Sequence, residues 1–481
     1  MKKHSNLSRG SWVTTQTPEQ AKELVTSVYT TLMKLLNKTL NDKFAPGKQA
    51  PPDPAATAQR ILDCRAWAEE AEMVGNYSKA LQMCAQCVVL DGDSCELWYA
   101  YGALCMRRSD LAKAEECFRA ALAICPTDLN SLVAYGSLLM RREKPPQAKV
   151  FFVAAVEGNP SSFLAWAALG LFYEMEGDDA ERRRCTKRVL QMEAETGAAK
   201  RSMYIRAADF LVTINATQMV ERSLAEEMNH NGTSVELLLL LARTYLEVLD
   251  IPRARGYLED ILANHDKKNG PALCMMGHTY FIDKRVREAV SSYEKCLALR
   301  HAHVEAKELY QLGCLYLQTQ KYYEAADIFS RGCTFKSSAE MWLGLGKALF
   351  LRNELAQAET ALAEANVLDS HNPEVWAWLA LTALRSSNIN EAQAAFTEAI
   401  KNNLELPVLY RDIGRGFLKA GQVAVAEQSI KRAVAMLPDD ALCQKLLGDC
   451  LAEQVSCARA AMVGVSGDVA KCRAGLQRKG C

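Results

Sequence analysis

The sequence predicts an all-α solenoid of stacked helical hairpins, and three observations support that prediction. First, small residues recur every 34 positions, as in Gly102, Gly136 and Gly170. Second, only 7% of the residues are aromatic, and Gly and Pro are sparse, which favours helices over turn-rich sheets. Third, a chain of 481 residues is too long for a single compact core, whereas stacked repeats grow by adding neighbours.

The columns of recurring residues continue through the second half of the chain. There Gly346, Ala380, Gly414 and Gly448 again lie 34 residues apart, and Gly313 lies 33 residues before Gly346. Self-similarity at a period of about 20 to 50 residues is typical of solenoids and repeat arrays.

Two blocks indicate which kind of repeat recurs. The block Trp166–Tyr173 resembles the first helix of a tetratricopeptide repeat (TPR), and Ala114–Ala121 with Pro126 resembles the second helix. The small eighth residue of such a repeat lets its two helices approach closely, and the late Pro ends the second helix. We therefore predict an all-α, right-handed superhelical TPR solenoid of about ten to eleven repeats in two arrays.

The register of the repeats divides the chain into six segments. Residues 193–201 are charged and 231–234 read Asn-Gly-Thr-Ser, which marks a break between the arrays. The predicted segments are an N-terminal amphipathic helix with a Pro-rich linker (1–60), the first TPR array (61–192), a degenerate helical connector (193–234), the second TPR array (235–440), a capping helix (441–462) and a disordered tail (463–481).

Charge and hydropathy exclude several classes of protein. The 57 Lys and Arg residues balance 57 Asp and Glu residues, whereas a nucleic-acid coating protein carries a basic excess. The longest apolar run, Leu237–Ala242, is far shorter than the roughly 20 residues that span a bilayer. No apolar segment follows Met1–Asn6, so secretion is not expected. We expect a cytoplasmic protein that binds no nucleic acid, membrane or small-molecule substrate.

Neither a catalytic site nor a cofactor site is expected. The cluster Gly344–Lys347 resembles part of a phosphate loop but lies inside a predicted helix and follows no strand. Cys84 and Cys87 have the spacing of a metal-ligand pair, but zinc needs four ligands and no second such pair occurs. The segments outside the repeats are too short for a catalytic domain of about 100 residues. We therefore predict no enzyme activity, no metal and no cofactor.

The inner face of the solenoid is the expected binding surface. In a TPR the second, fifth, ninth and twelfth residues of the first helix line this face. In the first array these positions form an apolar groove suited to an amphipathic helix, and they include Tyr99, Met106, Val133 and Met140. In the second array they form a polar to basic groove suited to an acidic segment, and they include Arg243, His278, Lys347, Arg411 and Arg415.

Longer blocks resemble one particular family. Ala358–Asn366 followed by Pro373–Leu381, together with Met341–Gly346, resembles the C-terminal TPR half of the cilia- and flagella-associated protein 70 family. The resemblance covers roughly residues 60–405 and is interrupted at the connector. Family members carry a large additional N-terminal region, so the resemblance implies that this chain is a short form or a piece.

The resemblance implies an axonemal protein of motile cilia, associated with the central apparatus or the dynein-regulating machinery. Its partners would be other axonemal proteins, bound as peptide or helix segments in the TPR grooves, and no catalytic residues are implied. One alternative is a cytosolic TPR adaptor of another machine, such as a ciliary transport complex or a ubiquitin-ligase scaffold. An enzyme that uses its repeats to recruit substrate is the alternative from another class.

Overall fold

The computed structural model describes residues 54–196, 202–299 and 304–462. The chain separates into two compact units, residues 1–62 and 63–481, and the described part of the first unit is the start of helix α1. The predicted N-terminal amphipathic helix and the predicted tail 463–481 lie outside the described residues.

Every regular element in the described ranges is a helix. The helices are α1 (Pro54–Val74), α2 (Tyr77–Leu90), α3 (Cys95–Arg107), α4 (Leu111–Ile124), α5 (Leu129–Arg141), α6 (Pro145–Gly158), α7 (Phe163–Glu176), α8 (Asp179–Thr196), α9 (Met203–Thr213), α10 (Thr217–Asn231), α11 (Val235–Glu247), α12 (Ile251–Asp260, continued by a π-helical turn at Ile261–His265), α13 (Gly270–Ile282), α14 (Val286–Leu297), α15 (Ala306–Gln318), α16 (Tyr322–Phe335), α17 (Ala339–Leu351), α18 (Leu355–Leu368), α19 (Pro373–Arg385), α20 (Ile389–Lys401), α21 (Pro407–Lys419), α22 (Val423–Met436) and α23 (Ala441–Met462). Successive helices pair into eleven hairpins followed by α23. The prediction of an all-α TPR solenoid is confirmed.

The turn inside each hairpin has the same backbone conformation. One residue adopts a positive φ, for example Gly177 at φ +77° and Leu249 at φ +63°. A left-handed residue after a helix ends it and redirects the chain. The eleven residues are Gly75, Ser109, Glu143, Gly177, Asn215, Leu249, Lys284, Gln320, Asn353, Ser387 and Gly421. Asn215 belongs to the α9–α10 hairpin of the predicted connector, so this degenerate hairpin keeps the turn of the other repeats.

Close contact between the two helices of a hairpin explains the recurring glycines. A Cβ atom placed on Gly136 would lie 2.8 Å from the ring of Phe152, and one on Gly102 would lie 2.7 Å from that of Phe118. In the α7–α8 hairpin, where Thr186 stands 34 residues after Phe152, a Cβ on Gly170 would meet only Cys185, at 3.4 Å. The loss of the aromatic partner therefore loosens the helix contact at that repeat.

Three tryptophans, each the fourth residue of its helix, anchor the segment that precedes their hairpin. The indole N–H of Trp98 donates to the Gly92 carbonyl at 2.9 Å, and that of Trp376 donates to Ser370 at 2.8 Å. Trp166 makes the equivalent bond to Pro160 at 2.9 Å. The polar group of each indole is thereby satisfied by the backbone.

Two large groups of buried side chains form the core. One runs from Ala103 to Met276 and the other from Ala289 to Cys450. The first includes Leu211 and Met219, so the α9–α10 hairpin belongs to the same core as the repeats before and after it. The position of the boundary between the two predicted arrays stays a prediction.

Candidate protein-binding surfaces

The four apolar residues predicted to line the first groove lie in the core. Met106 and Val133 are fully buried, Met140 is 9% exposed, and Tyr99 is partly buried. Burial raises the pKa of the Tyr99 phenol to about 12. The structure therefore corrects the expectation of an open apolar groove, because these side chains are already covered.

The turn between α9 and α10 covers this groove. Arg107 Nη1 donates to the Thr213 carbonyl at 3.1 Å, and Asn215 Nδ2 donates to the Arg107 carbonyl at 3.4 Å. Deeper in the groove, the Ser137 hydroxyl lies 3.3 Å from the Met219 sulfur. Helical periodicity shows which side chains of α3 and α5 face inward, but it does not show that a segment about 100 residues later packs against them.

The basic residues predicted for the last repeat are paired with carboxylates of the same chain. Arg411 lies 3.3 Å from Asp412 and 3.4 Å from Asp440, and Arg415 lies 3.4 Å from Asp412. Asp412 adjoins Arg411 in the sequence, so part of this neutralisation could have been inferred from the local charge pattern.

Two further predicted cations also have acidic neighbours. Lys347 Nζ lies 2.7 Å from Glu374 Oε1, and both side chains are largely buried. Arg243 Nη1 lies 4.0 Å from Asp209 Oδ1, with both side chains about half exposed. Because each predicted cation has its own counter-ion, the inner positions of the second array do not form a uniformly basic strip.

His278 contributes no charge near neutral pH. Burial and the nearby Lys307 ammonium lower the pKa of its imidazole to about 4. Its Nδ1 lies 3.0 Å from Gln311 Oε1, which also accepts a hydrogen bond of 2.6 Å from the Tyr293 hydroxyl. These contacts tie His278 to the next hairpin, and the partly buried, neutral imidazole acts as a structural residue.

Acidic residues that the sequence analysis did not single out surround Lys347. Burial raises the pKa of Glu340 to about 7, and the charges of Glu374 and Glu70 add to this effect, whereas Lys347 opposes it. Asn372 Nδ2 donates to Glu340 Oε1 at 3.1 Å. Glu70 also accepts a hydrogen bond from the backbone N–H of Glu340. This site is a mixed network of charges rather than a basic pocket.

Glu70 belongs to α1, so the network includes a contact between the first and the ninth hairpins. Lys79 Nζ lies 2.8 Å from Asp369 Oδ2, and the Trp67 indole N–H donates to the Leu368 carbonyl at 3.0 Å. Local patterns in the sequence give no indication of this contact, because its partners are separated by about 300 positions.

The cysteine pair with metal-ligand spacing lies in the second helix of the first hairpin. Burial raises the pKa of Cys84 to about 12 and that of Cys87 to about 11, so both are protonated thiols near neutral pH. Within the ranges that the structure describes, no group of three His, Cys, Asp or Glu side chains could hold a metal ion. In the same ranges, none of the helices is both long and apolar enough to cross a bilayer.

Eleven stacked hairpins with a recurring 34-residue register define the chain as a TPR solenoid. Two family models match it. The cilia and flagella-associated protein 70 middle TPR-like domain matches residues 64–193, and the C-terminal domain of the same protein matches residues 215–468. The chain belongs to the cilia- and flagella-associated protein 70 family, whose TPR fold is of the scaffold type and not enzymatic.

Curated relatives agree with this assignment. Cilia- and flagella-associated protein 70 of Homo sapiens is 25% identical over 522 residues, covering 83% of this chain and 46% of the relative. The protein of the same name from Macaca fascicularis is 28% identical over 412 residues, covering 83% of this chain and 40% of the relative. The chain thus spans less than half the length of these two relatives.

A solved structure with a similar arrangement of helices is a chain of an APC/C hetero-tetramer. The two are 14% identical with a TM-score of 0.40, and the match covers 82% of this chain and 96% of that one.

Proposed function

We propose that this protein is a scaffold of the ciliary or flagellar axoneme that supports motility by holding other axonemal proteins in place. The observation that carries the proposal is the match of two cilia- and flagella-associated protein 70 models to residues 64–193 and 215–468. The protein would belong to the cytoskeleton of the cilium, in the central apparatus or in an assembly that regulates dynein.

The solenoid suits such a role because it offers several moderate surfaces on one chain. Several weak contacts along one scaffold give a long residence time without any single tight site. Because the chain carries no net charge, we expect it to bind a fixed neighbour rather than to attract many partners electrostatically.

Arg243 and Arg415 are the most exposed of the predicted inner-face cations, at 47% and 50% of the side chain. We propose that they meet acidic groups of a partner, which would compete with Asp209 and Asp412 for the guanidinium groups. The buried residues Met106, Val133 and Met140 and the partly buried Tyr99 would contact a partner only if the α9–α10 turn were displaced.

The function can be tested by depleting the protein from a flagellated cell that expresses it and restoring it from a resistant copy. The expected result is an altered beat in cilia that still assemble, with a defined set of axonemal proteins lost from purified axonemes and recovered on rescue. A normal beat and an unchanged axonemal protein composition after complete depletion would contradict the proposal.

A further inference from the structure

A groove opens between α18, α19 and α20, away from the inner face. Its volume is about 520 Å³, and Trp376, Leu379 and Ala383 of α19 form its floor. These are the fourth, seventh and eleventh residues of the helix, whereas the inner face uses the second, fifth, ninth and twelfth. The α18–α20 groove is therefore separate from the surface through which a TPR is expected to bind.

A missing aromatic side chain makes room for this groove. The eleventh residue of the first helix is tyrosine in four other hairpins, and it is Ala383 in this one. Tyr245 and Tyr316 each bridge to the preceding hairpin, since their hydroxyls donate to Glu221 and Glu294 at 2.8 Å. The four tyrosines are Tyr173, Tyr245, Tyr280 and Tyr316. At Ala383 the space that such a ring would occupy is open.

The floor of the groove is held in place without a ligand. The indole N–H of Trp376 donates to the Ser370 carbonyl at 2.8 Å, which fixes the ring against α19. On α20 the floor continues with Ala394 and Ala395, two side chains too small to close the groove. A preformed apolar floor spares a ligand the entropic cost of ordering the site.

Carboxylates line the walls. Glu359 of α18 and Glu391 and Glu398 of α20 all border the groove. Glu398 forms an ion pair of 2.6 Å with Lys401. Among the described residues, no Lys, Arg or His side chain lies within ion-pair distance of Glu359 or Glu391, although Asn388 Nδ2 donates to Glu391 at 3.1 Å. The rim therefore carries uncompensated negative charge around an apolar floor.

We propose that the α18–α20 groove binds a basic amphipathic helix of a partner protein. Apolar side chains on one face of such a helix would cover Trp376 and Leu379, and flanking Lys or Arg residues would pair with Glu359 and Glu391. An acidic tail or a nucleic-acid phosphate would be repelled by the same carboxylates. This proposal rests on the proposed scaffold function in one respect only, because that function places the partner protein in the cilium.

The test is a fluorescence-polarisation titration of the full chain against one labelled synthetic peptide. The probe is a helix-forming peptide with leucines at positions i, i+4 and i+7, flanked by lysines. Ala383→Tyr, which supplies the aromatic residue present in other hairpins, should weaken binding by about tenfold or more. The double variant Glu359→Lys/Glu391→Lys should weaken it similarly, and raised salt should weaken binding to the unmodified chain.

Matched controls lie on α18 outside the groove. Ala363→Tyr and Glu364→Lys make the same chemical changes at exposed positions and should leave the dissociation constant within about twofold of the unmodified value. Thermal melts by circular dichroism establish that each variant is folded. The same peptide with glutamates in place of its lysines should bind at least about tenfold more weakly.

The proposal is overturned if the unmodified chain shows no saturable binding, if folded Ala383→Tyr binds as tightly as the unmodified chain, or if the glutamate-flanked peptide binds equally well. Because the titration uses purified protein, it stays independent of where the protein lies in the cell. A positive titration for a protein that is absent from axonemes would reject the proposed location and leave the groove assignment standing.

Discussion

Lys79 Nζ lies 2.8 Å from Asp369 Oδ2, although 290 residues separate the two in the chain. The Asp369 side chain is 4% exposed and that of Lys79 is 33% exposed. A second ion pair, between Lys336 and Glu69 at 2.9 Å, lies at the same contact. The stability of a solenoid is normally a sum of terms for single repeats and for neighbouring repeats. This contact couples the stability of two distant repeats, which stacking between neighbours alone would not do.

Removal of the Lys79 charge should therefore affect two distant parts of the chain. Lys79→Ala leaves the buried Asp369 carboxylate without its cation and should cost about 1–3 kcal/mol. Hydrogen exchange measured by mass spectrometry should show lost protection in 63–90 and also in 339–372. Lys113→Ala, which breaks an exposed pair with Glu116, is the control and should change little. A loss confined to 63–90 would show that the contact carries no coupling.

The Glu340 carboxyl should make this region sensitive to pH. Its pKa is raised in the folded protein from its ordinary 4.5 to about 7, because burial and the facing carboxylates of Glu70 and Glu374 outweigh the attraction of Lys347 and Lys79. The folded state therefore binds this proton more tightly than the unfolded chain does. The stability that Glu340 contributes is fully present below about pH 4.5 and is lost as pH rises through about 7.

Glu340→Gln removes this titration while keeping an acceptor for Asn372. The variant should gain protection in 339–372 relative to the unmodified chain at pH 8, and this gain should shrink toward pH 5. Comparing the two proteins separates the titration of Glu340 from that of other carboxyl groups with a raised pKa. One of these is Glu174, whose pKa is raised by burial to about 7. A difference that is constant across this pH range would contradict the assignment.

Two glycines at equivalent repeat positions should respond differently to alanine. Gly136→Ala places a methyl group 2.8 Å from the Phe152 ring and should cost about 1–3 kcal/mol. Gly170→Ala meets only Cys185 at 3.4 Å and should be neutral or gain up to about 1 kcal/mol from helix propensity.

Denaturation and hydrogen exchange of both glycine variants check this contrast. The loss in Gly136→Ala should spread through residues 95–192 and spare 306–440, because each repeat stabilises its neighbours. Equal losses in the two variants, or a uniform loss along the chain, would contradict the packing described for these hairpins.

Glycine in place of Leu249 should relieve backbone strain in the turn between α11 and α12. Leu249 has φ +63° and is 63% exposed, so its side chain adds strain with little packing to offset it. Leu249→Gly should stabilise the chain by about 1 kcal/mol, and Gly177→Ala at φ +77° should destabilise it by a similar amount. Thermal melting of both variants gives the comparison, and shifts in the same direction would refute it.

The 34-residue register was sufficient to predict the solenoid, because small residues such as Gly102 and Gly136 mark the places where paired helices touch. The α9–α10 hairpin was harder to place, since it keeps the backbone turn at Asn215 without the signature residues. Its structural role became visible only in three dimensions, where Thr213 and Met219 cover inner positions of α3 and α5.

The charge of the inner face could be predicted only in part from the sequence. Repeat positions identified Lys347 and Arg411 as inward-facing, but their counter-ions Glu374 and Asp440 lie about 30 residues away. The α18–α20 groove had a weak sequence signal, Ala383 at a position that holds tyrosine in four other hairpins, and the meaning of that signal depends on the helices packed around it. A contact between side chains of distant repeats produces no periodic pattern in the sequence.

The central claim, that this chain is a fixed part of the ciliary axoneme, is tested most directly by fractionating cilia from cells that express a tagged full chain. After detergent removes the membrane and matrix, the account predicts that most of the tagged protein stays with the axoneme. Complete release into the detergent-soluble fraction, or a location confined to the cell body, would contradict it and favour a cytosolic adaptor.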